Sequence, residues 1–278
     1  MHLPELVRLA LVEDVGPADV TTEATVLAGR RGAATIRAKA PLVVCGHDAA
    51  AEVFRQVGAS YRPLAAEGSL VQPGTLVAEV EGPLRALLTG ERVALNFLMR
   101  LCGIATHTRK AVQAAPGLKV LDTRKTTPLH RALERRAVRV GGGGNHRFAL
   151  YDGVLIKDNH IAAAGGIPAA IQGARAAAHH LLRIEIEVET LEQVAEALAA
   201  GADALLLDNM DDQTLAAAVK LARAAPHPVL LEASGNMTAT RLPAVAATGV
   251  DMVSMGGLIH QAPWADLSMK ITAVQEQT

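Results

Sequence analysis

The sequence has few aromatic residues and few cysteines, and neither basic nor acidic residues are in clear excess. Only 2% of its 278 residues are aromatic, so Ala, Val and Leu must fill the interior of a chain that is 50% hydrophobic. Its 27 basic and 28 acidic residues give a formal net charge of -1. This balance argues against a general nucleic-acid or membrane-surface binder, because such proteins carry an excess of basic residues over a whole face. The two cysteines form no disulfide framework and are typical of buried thiols in a reducing cytosol.

Long apolar runs are also missing. No run approaches the length that spans a bilayer. The first residues, "MHLPELVRLALVEDVG", do not combine a charged segment with a following apolar one, as a secretory signal does. We therefore expect a soluble cytoplasmic protein, and the length suits one large domain or two modest ones.

The first part of the chain has the pattern of a mixed α+β unit. We predict a helix over 4–13, a turn-rich connection in "EDVGPADVTTEA", and two strands on either side of Pro41. A helix in "HDAAAEVFRQVG" and two strands about the Pro-Gly turn of "GSLVQPGTLVAEVEG" follow. A long helical stretch then runs from about 83 to 115, and Gly103 is its predicted break.

The pattern changes from Lys119 onward. Ala-rich helical segments now separate most of a series of short apolar runs, which predicts parallel βα units. Gly and then Asp lead into two of the runs, "GADALLLD" and "GVDMVSMG", where Gly ends the preceding helix. A closed or nearly closed (β/α) barrel is the favoured fold, and an open doubly wound sheet is the alternative. The six runs are "LKVLD", "GVLIKD", "RIEIEVE", "ALLLDN", "PVLLEASG" and "MVSMGG".

Each apolar run becomes polar towards its carboxyl end. In a parallel barrel these ends converge on one mouth, where active sites are built. One polar strand end usually marks only the boundary with a loop, but six in succession with opposite charges and glycines indicate a site. In chain order the residues are Asp122, Arg124 and Lys125; Lys157 and Asp158; Glu185, Glu187 and Glu189; Asp208 and Asn209; Glu232 and Ser234 to Asn236; and Ser254, Gly256 and Gly257.

The basic residues among them predict an anionic substrate. Arg124 and Arg147 can each present a planar fork to a carboxylate or a phosphate. Lys125 and Lys157 supply compact charges that suit phosphate.

Acids and glycines beside these cations indicate a phosphorylated, metal-bound partner. Glu187 and Asp208 could hold Mg²⁺ directly or through water, since Mg²⁺ favours a few carboxylates together with substrate oxygens. "EASGN" and "SMGG" occupy the last two βα loops, where barrels commonly bind phosphate through backbone N–H groups. A simple phosphosugar- or dicarboxylate-binding protein is the disfavoured alternative, because anion binding alone needs no acids there.

Six blocks of the sequence carry a family resemblance: "GERVALNFLMRLCGIAT", "DTRKTTP", "GGGGNHRFALYDGVLIKDNH", "IEIEVETLEQ", "LLLDNM" and "LEASGN". With these blocks the chain resembles the quinolinate phosphoribosyltransferase family. The resemblance extends from "EDVGPADVTT" to "SMGGLIHQAP", almost the whole sequence. It implies an N-terminal α/β sandwich over 1–105, rejoined by about 264–278, and a C-terminal incomplete (β/α) barrel over 106–263 that carries the active-site mouth.

The activity that the resemblance implies is a decarboxylating phosphoribosyl transfer. Phosphoribosyl pyrophosphate and quinolinate would give nicotinate mononucleotide, CO₂ and pyrophosphate, a step of de novo NAD biosynthesis. An enzyme of the same fold that acts on nicotinate without decarboxylation is the alternative. A related group associated with molybdenum transport also shares the fold, but "NHR", "YDGVLIKDNH" and "LLLDNM" favour the quinolinate enzyme.

The resemblance further implies roles for individual residues. Arg92 would reach a quinolinate carboxylate in the neighbouring subunit of a homodimer with shared sites, and a hexamer stays open. Arg124, His146 and Arg147 would hold the rest of the dicarboxylate. The catalytic set would be Lys125, Lys157, Glu187 and Asp208, serving phosphoribosyl pyrophosphate and Mg²⁺, with Glu187 and Asp208 as metal ligands. The other substrate-binding positions would be Thr123, Ser234, Gly235, Asn236, Met255, Gly256, Gly257 and His260.

Three positions depart from the family pattern. Cys102 stands where Ser is common, Leu129 where Gly is frequent, and "ERRA" over 134–137 replaces a frequent "EKYA". These departures concern oligomer contacts and fine tuning rather than the chemistry.

Overall fold

The structure, a computed structural model, describes residues 2–274. In chain order its strands are β1 (Arg31–Ala38), β2 (Leu42–Val43), β3 (Ser60–Pro63), β4 (Leu70–Val71), β5 (Leu76–Pro83), β6 (Lys119–Leu121), β7 (Val154–Ile156), β8 (Ile184–Val188), β9 (Ala204–Asp208), β10 (Leu230–Ser234), β11 (Met252–Ser254) and β12 (Leu267–Val274). Its helices are α1 (Leu3–Val15), α2 (Val20–Thr25), α3 (His47–Val57), α4 (Leu84–Ala114), α5 (Arg131–Val140), α6 (Asp158–Ala164), α7 (Ile167–Ala177), α8 (Leu191–Ala199), α9 (Asp212–Arg223), α10 (Leu242–Ala247) and α11 (Gly257–His260).

The described residues form two compact units. The first comprises 2–109, 127–142 and 262–274, and the second comprises 110–126 and 143–261.

The predicted domain limits differ from these units in one place above all. Residues 127–142, which contain α5, group with the first unit although the sequence assigned them to the barrel. The end of the predicted C-terminal return, 275–278, lies outside the described residues.

The first unit combines helices with a four-stranded antiparallel sheet. Its strand order is β12-β1-β5-β3, and β2 pairs separately with β4. Alternate residues of β1 are buried, with Ile36 fully so, and Phe54 and Leu87 are also fully buried. The period of two in β1 is what a strand with one face on the core requires.

Among the described residues, no helix is both long and apolar enough to cross a membrane.

The second unit is a parallel sheet whose order identifies it as a barrel. The order is β6-β11-β10-β9-β8-β7, and all adjacent pairs are parallel. From β7 to β11 each strand lies beside the next one in the chain, and β6 lies beside β11, so the first strand neighbours the last. A doubly wound sheet instead reverses its order at a switch point. Among the described residues, β6 and β7 are the two edge strands of this sheet, and no ladder joins them. The predicted fold class, a sandwich followed by an incomplete barrel, is confirmed.

A glycine, followed two residues later by an aspartate, precedes both β9 and β11 and has the same structural role at each. Gly201 and Gly249 adopt φ of +81° and +88° after α8 and α10, the left-handed turn that ends a helix. Asp203 then accepts a hydrogen bond of 2.7 Å from Ile184 N, and Asp251 one of 2.8 Å from Leu231 N. Asp203 thereby satisfies the first N–H of β8 and Asp251 the second N–H of β10, which keeps the strands in register.

Two local predictions were wrong, and one strand was missed. The predicted break at Gly103 is absent, because α4 continues through it. A Cβ at this position would overlap the carbonyl oxygen of Pro263, so the glycine permits close packing instead of ending the helix. The predicted turn-rich connection contains α2, begun by Asp19, whose Oδ1 accepts from Thr22 N at 3.0 Å. The strand β3 was not predicted at all.

The structure shows the local surroundings of three residues that depart from the family pattern, all in the first unit, and it does not explain why Leu stands at 129. Leu129 adopts φ of +67°, a conformation that costs a residue with a Cβ about 1 kcal/mol and costs glycine almost nothing. Cys102 Sγ accepts from Cys45 N at 3.2 Å and donates to Cys45 O at 3.3 Å, as a serine hydroxyl would. Arg136 forms an ion pair with Asp48.

Candidate active site

Four of the predicted residues lie at the carboxyl ends of consecutive barrel strands. Lys157 directly follows β7, Glu187 is the fourth residue of β8, and Asp208 and Ser234 end β9 and β10. Parallel pairing brings these ends to one face, and Ser234 is the direct partner of Asp208 across the ladder.

An ion pair joins the first two of these strands. Lys157 Nζ donates a hydrogen bond to Glu187 Oε2. The Glu187 side chain is 11% exposed and that of Lys157 is 44% exposed, so the acid is held inside while the ammonium reaches solvent. Glu187 Oε1 makes no hydrogen bond to any described residue. The pair therefore offers a cation to an incoming phosphate and a spare carboxylate oxygen beside it.

The Asp208 carboxylate is held on one side only. Its Oδ2 accepts a hydrogen bond of 2.6 Å from Asn209 Nδ2, and within residues 2–274 its Oδ1 accepts none. Asp208 and Glu187 thus each keep one carboxylate oxygen unengaged on neighbouring strands. Oxygen donors of this kind suit Mg²⁺, so the residues present fit the predicted ion.

Lys125, Gly256 and His260 come together at the ends of β6 and β11. A Cβ at position 256 would lie 2.8 Å from Lys125 Cδ and 3.1 Å from His260 Nε2. Glycine at this position therefore leaves room for the lysine stem and the imidazole beside the backbone. Two hydrogen bonds shape this corner: Met255 N donates to Leu121 O at 2.9 Å, and Lys125 N donates to Thr123 Oγ1 at 3.1 Å.

Two arginines lie close enough to repel each other. Arg147 Nη1 donates to Gly153 O at 2.9 Å, while its buried Nε has no hydrogen-bond partner among the described residues. Burial lowers the pKa of the Arg147 guanidinium, and the charge of Arg124 lowers it further. A buried unpaired donor and two adjacent like charges favour the arrival of an anion.

His146 is bound on both sides by groups of the barrel itself. Its Nε2 lies 3.2 Å from Glu185 Oε2 and 3.6 Å from Glu232 Oε2, and its Nδ1 accepts from Arg147 N at 2.6 Å. The buried Asp122 accepts from His146 N at 2.9 Å. The imidazole therefore links the arginine backbone to two interior acids.

The sequence places Glu185 and Glu232 among the polar strand ends, but no role in binding the substrates or the metal was predicted for them. Their sequence signal is the period of two: Glu185 shares a strand face with Glu187, and Glu232 shares one with Ser234. Their contact with His146 depends on the register of three separate segments, which the sequence does not reveal.

The three side chains of His146, Glu185 and Glu232 are close enough together to hold a metal ion, but the position of the imidazole proton argues against it. Ligand atoms of His146, Glu185 and Glu232 lie within 4.8 Å of one another, the one such group within the described residues. Because Nδ1 already accepts a hydrogen bond, the neutral imidazole carries its proton on Nε2, which then cannot bind a metal. Burial and the charge of Glu185 raise the pKa of Glu232 to about 7. The cluster is thus suited to hold protons.

We expect this cluster to make the folded protein less stable as pH rises from about 4.5 to about 7.5. The pKa of Glu232 is raised from 4.5 to about 7 in the folded protein, so the folded state favours the protonated acid. As pH rises through this range, ionising Glu232 costs more free energy in the folded state than in the unfolded state, and the folded protein loses stability. At about 1.4 kcal/mol per pKa unit, the loss is on the order of 3 kcal/mol. Glu232→Gln stays uncharged and should flatten this slope in urea unfolding at several pH values.

The matched control is Glu196→Gln, which changes an exposed acid on α8. It should keep the wild-type slope. Equal slopes for wild type and Glu232→Gln would contradict the burial argument.

Both parts of the chain match the descriptions of one family. "Quinolinate phosphoribosyl transferase, N-terminal domain" matches residues 19–102, and "Quinolinate phosphoribosyl transferase, C-terminal domain" matches residues 104–270. The chain belongs to the quinolinate phosphoribosyltransferase family. The family predicted from the sequence is confirmed.

Named relatives agree over almost the whole length. The chain is 43% identical to a Bacillus subtilis protein named probable nicotinate-nucleotide pyrophosphorylase (carboxylating), across 99% of this chain and 96% of that protein. The human nicotinate-nucleotide pyrophosphorylase (carboxylating) is 39% identical, across 97% of this chain and 88% of that protein. NadC from Streptococcus pyogenes superposes with a TM-score of 0.92 at 40% identity, across 98% and 97% of the two chains.

Of the residues assigned from the family pattern, Arg92 alone belongs to the first unit. It is exposed on α4. All the others belong to the barrel unit: Thr123, Arg124, Lys125, His146, Arg147, Lys157, Glu187, Asp208, Ser234, Gly235, Asn236, Met255, Gly256, Gly257 and His260.

Proposed function

We propose that the protein transfers the phosphoribosyl group of phosphoribosyl pyrophosphate to quinolinate with loss of CO₂ and pyrophosphate, giving nicotinate mononucleotide. One observation carries the proposal. The Lys157–Glu187 ion pair and the half-engaged Asp208 carboxylate lie on adjacent strand ends of a chain whose family is established.

Quinolinate is the substrate to which the arginines are suited. A pyridine dicarboxylate brings two negative charges, which would relieve the repulsion between Arg124 and Arg147 and give the buried Arg147 Nε a partner. Two planar forks would orient the ring so that its nitrogen meets the ribose C1, a gain in proximity. In this role His146 acts chiefly by holding the Arg147 backbone, because both of its ring nitrogens are engaged.

The phosphorylated substrate would be held by lysines and glycines. Lys125 against Gly256 and His260 forms a cationic corner, and the 234–236 turn beside Asp208 offers a second, uncharged contact through its glycine and its backbone. Thr123 shapes the first corner through its hydroxyl, and Met255 and Gly257 shape it through their backbone. Backbone N–H groups at such turns bind phosphate oxygens.

The bond changes balance when one proton is taken up from solvent. The quinolinate nitrogen forms a bond to ribose C1 as the bond from C1 to pyrophosphate breaks, and Lys125 and Lys157 stabilise the negative charge that grows on the leaving group. The positive ring nitrogen then stabilises the electron pair left at C2 when CO₂ departs, and C2 takes up a proton. A dry cationic pocket favours this charge separation.

We also propose Mg²⁺ as the metal that the reaction uses. The unengaged oxygens of Glu187 and Asp208 would hold it, directly or through water. When bound, the ion supplies positive charge to the departing pyrophosphate. Titration calorimetry with Mg²⁺ and phosphoribosyl pyrophosphate tests this independently of turnover.

We further propose a cytoplasmic homodimer in which Arg92 serves the partner subunit's site. Two features of the first unit support an interface. The Arg92 side chain is exposed, and a cavity of about 370 Å³ is lined by residues that include Leu9, Leu129 and Trp264. Inactive Arg92→Ala and Lys157→Ala chains, mixed and allowed to exchange, should regain activity because each heterodimer has one site without a substitution. No recovery from two dimeric, folded variants would contradict a shared site.

An assay of the purified protein tests the function. Quinolinate, phosphoribosyl pyrophosphate and Mg²⁺ should yield nicotinate mononucleotide, and quinolinate labelled in its 2-carboxyl group should release labelled CO₂ in equal amount. Turnover of nicotinate without CO₂ release would favour the non-decarboxylating alternative. Ligand binding without pyrophosphate release would favour a binding protein.

A further inference from the structure

One side chain joins the turns that follow β9 and β10. Asn209 Nδ2 donates to Asp208 Oδ2 at 2.6 Å, and Asn209 Oδ1 accepts from Asn236 Nδ2 at 3.2 Å. A carboxylate accepts hydrogen bonds and cannot donate them, so the amide nitrogen must face Asp208. The amide therefore has one orientation, and it bridges the carboxylate to the 234–236 turn.

The backbone of both turns is shaped around this amide. Asn209 has φ of +55°, Gly235 of +86° and Asn236 of +47°, three left-handed residues in two adjacent turns. Asn209 N also donates to Ser234 O at 3.1 Å. A Cβ on Gly235 would overlap Asn209 Oδ1 and lie 2.8 Å from Asn209 N, so only glycine lets the turn pack on the amide. Left-handed backbone costs asparagine less than most residues.

We infer that Asn209 is a positioning residue that couples the metal-facing carboxylate of Asp208 to the phosphate-facing turn 234–236. By occupying Oδ2 it directs the unengaged Oδ1 towards the space that a cation would fill. By receiving Asn236 it ties the position of the turn to that carboxylate. The inference rests on the proposed function and adds a residue to which neither the sequence pattern nor the family resemblance assigned a role.

The coupling predicts a specific failure when the amide is removed. Asn209→Gly keeps the left-handed backbone available and deletes both side-chain bonds. Asn209→Asp keeps the shape but replaces the donor with a second negative charge beside Asp208. Both should weaken binding of phosphoribosyl pyrophosphate at least 10-fold in the presence of Mg²⁺, and the Asp variant should be the weaker binder.

The readouts separate positioning from general structural damage. In calorimetry, Mg²⁺ should tighten phosphoribosyl pyrophosphate binding at least 5-fold less in the variants than in wild type. In assays, the KM for phosphoribosyl pyrophosphate and the Mg²⁺ concentration for half-maximal rate should rise, while the KM for quinolinate stays within 2-fold. Gln213→Ala, which removes an exposed amide on α9, is the control and should match wild type throughout.

A second variant covers the case in which Asn209 substitutions impair folding. Asn236→Gly also retains a left-handed backbone and removes the other end of the bridge. It should weaken the Mg²⁺ effect in the same direction, and Asn209→Gly with Asn236→Gly should be little worse than Asn209→Gly alone. A wild-type Mg²⁺ effect in folded variants overturns the inference while the wild-type enzyme stays active. A wild-type protein that makes no nucleotide overturns the proposed function instead.

Discussion

Arg124→Ala should lower kcat/KM for quinolinate by roughly 100- to 1,000-fold and leave the KM for phosphoribosyl pyrophosphate nearly unchanged. A bidentate pair of charged hydrogen bonds contributes about 3 to 4 kcal/mol, which corresponds to this range. Arg124 is exposed in the free barrel, so its removal should cost little stability. Steady-state kinetics with each substrate varied in turn measures the effect.

The variants around Arg124 define what the side chain contributes. Arg124→Lys keeps the charge but loses the planar fork, so it should lie between alanine and wild type. Lys220→Ala removes an exposed cation from the last turn of α9 and is the control for net charge. A wild-type kcat/KM for quinolinate in Arg124→Ala would rule out the proposed contact.

Lys157→Ala should lower kcat by roughly 1,000-fold, the scale lost with one well-placed group that stabilises transition-state charge. Two effects combine. The departing pyrophosphate loses a cation, and Glu187, with a side chain only 11% exposed, loses its ion-pair partner. Rates at saturating concentrations of both substrates report the loss, and calorimetry of phosphoribosyl pyrophosphate shows how much of it is binding.

A double-mutant cycle separates the two effects. Glu187→Gln removes the charge that Lys157 neutralises, so the double variant should be clearly less impaired than the sum of the single changes predicts. Lys157→Arg keeps a cation and should recover part of the rate. Strictly additive losses would show that the ion pair has no part in catalysis.

The strand ends could be predicted because their signal is local. An apolar run followed by charge, as in "GVLIKD" and "ALLLDN", indicates both a buried strand and its carboxyl end. All six predicted runs of the barrel contain the observed strands. Parallel pairing then brings Lys157, Glu187 and Asp208 to one face without further information.

The features that could not be predicted depend on contacts distant in sequence. Gly103 has the same appearance in a sequence whether it breaks a helix or makes room for Pro263, and only the tertiary contact decides. The helix α5 lies between two barrel segments, so its assignment to the other unit has no local signal. In the sequence Asn209 is one strand-end residue among others, and only its bonds to Asp208 and Asn236 in the folded chain distinguish it.

The order of the strands also constrains how the chain acquires its structure as it is synthesised. In the barrel, β6 pairs with β11, and in the other unit β1 pairs with β12, so each sheet joins its earliest strand to its latest. Such distant pairings form slowly, since a long loop must close before any contact rewards it. Neither sheet can be completed until nearly all of the chain has left the ribosome, so we expect nascent chains that end before residue 252 to remain open to proteases.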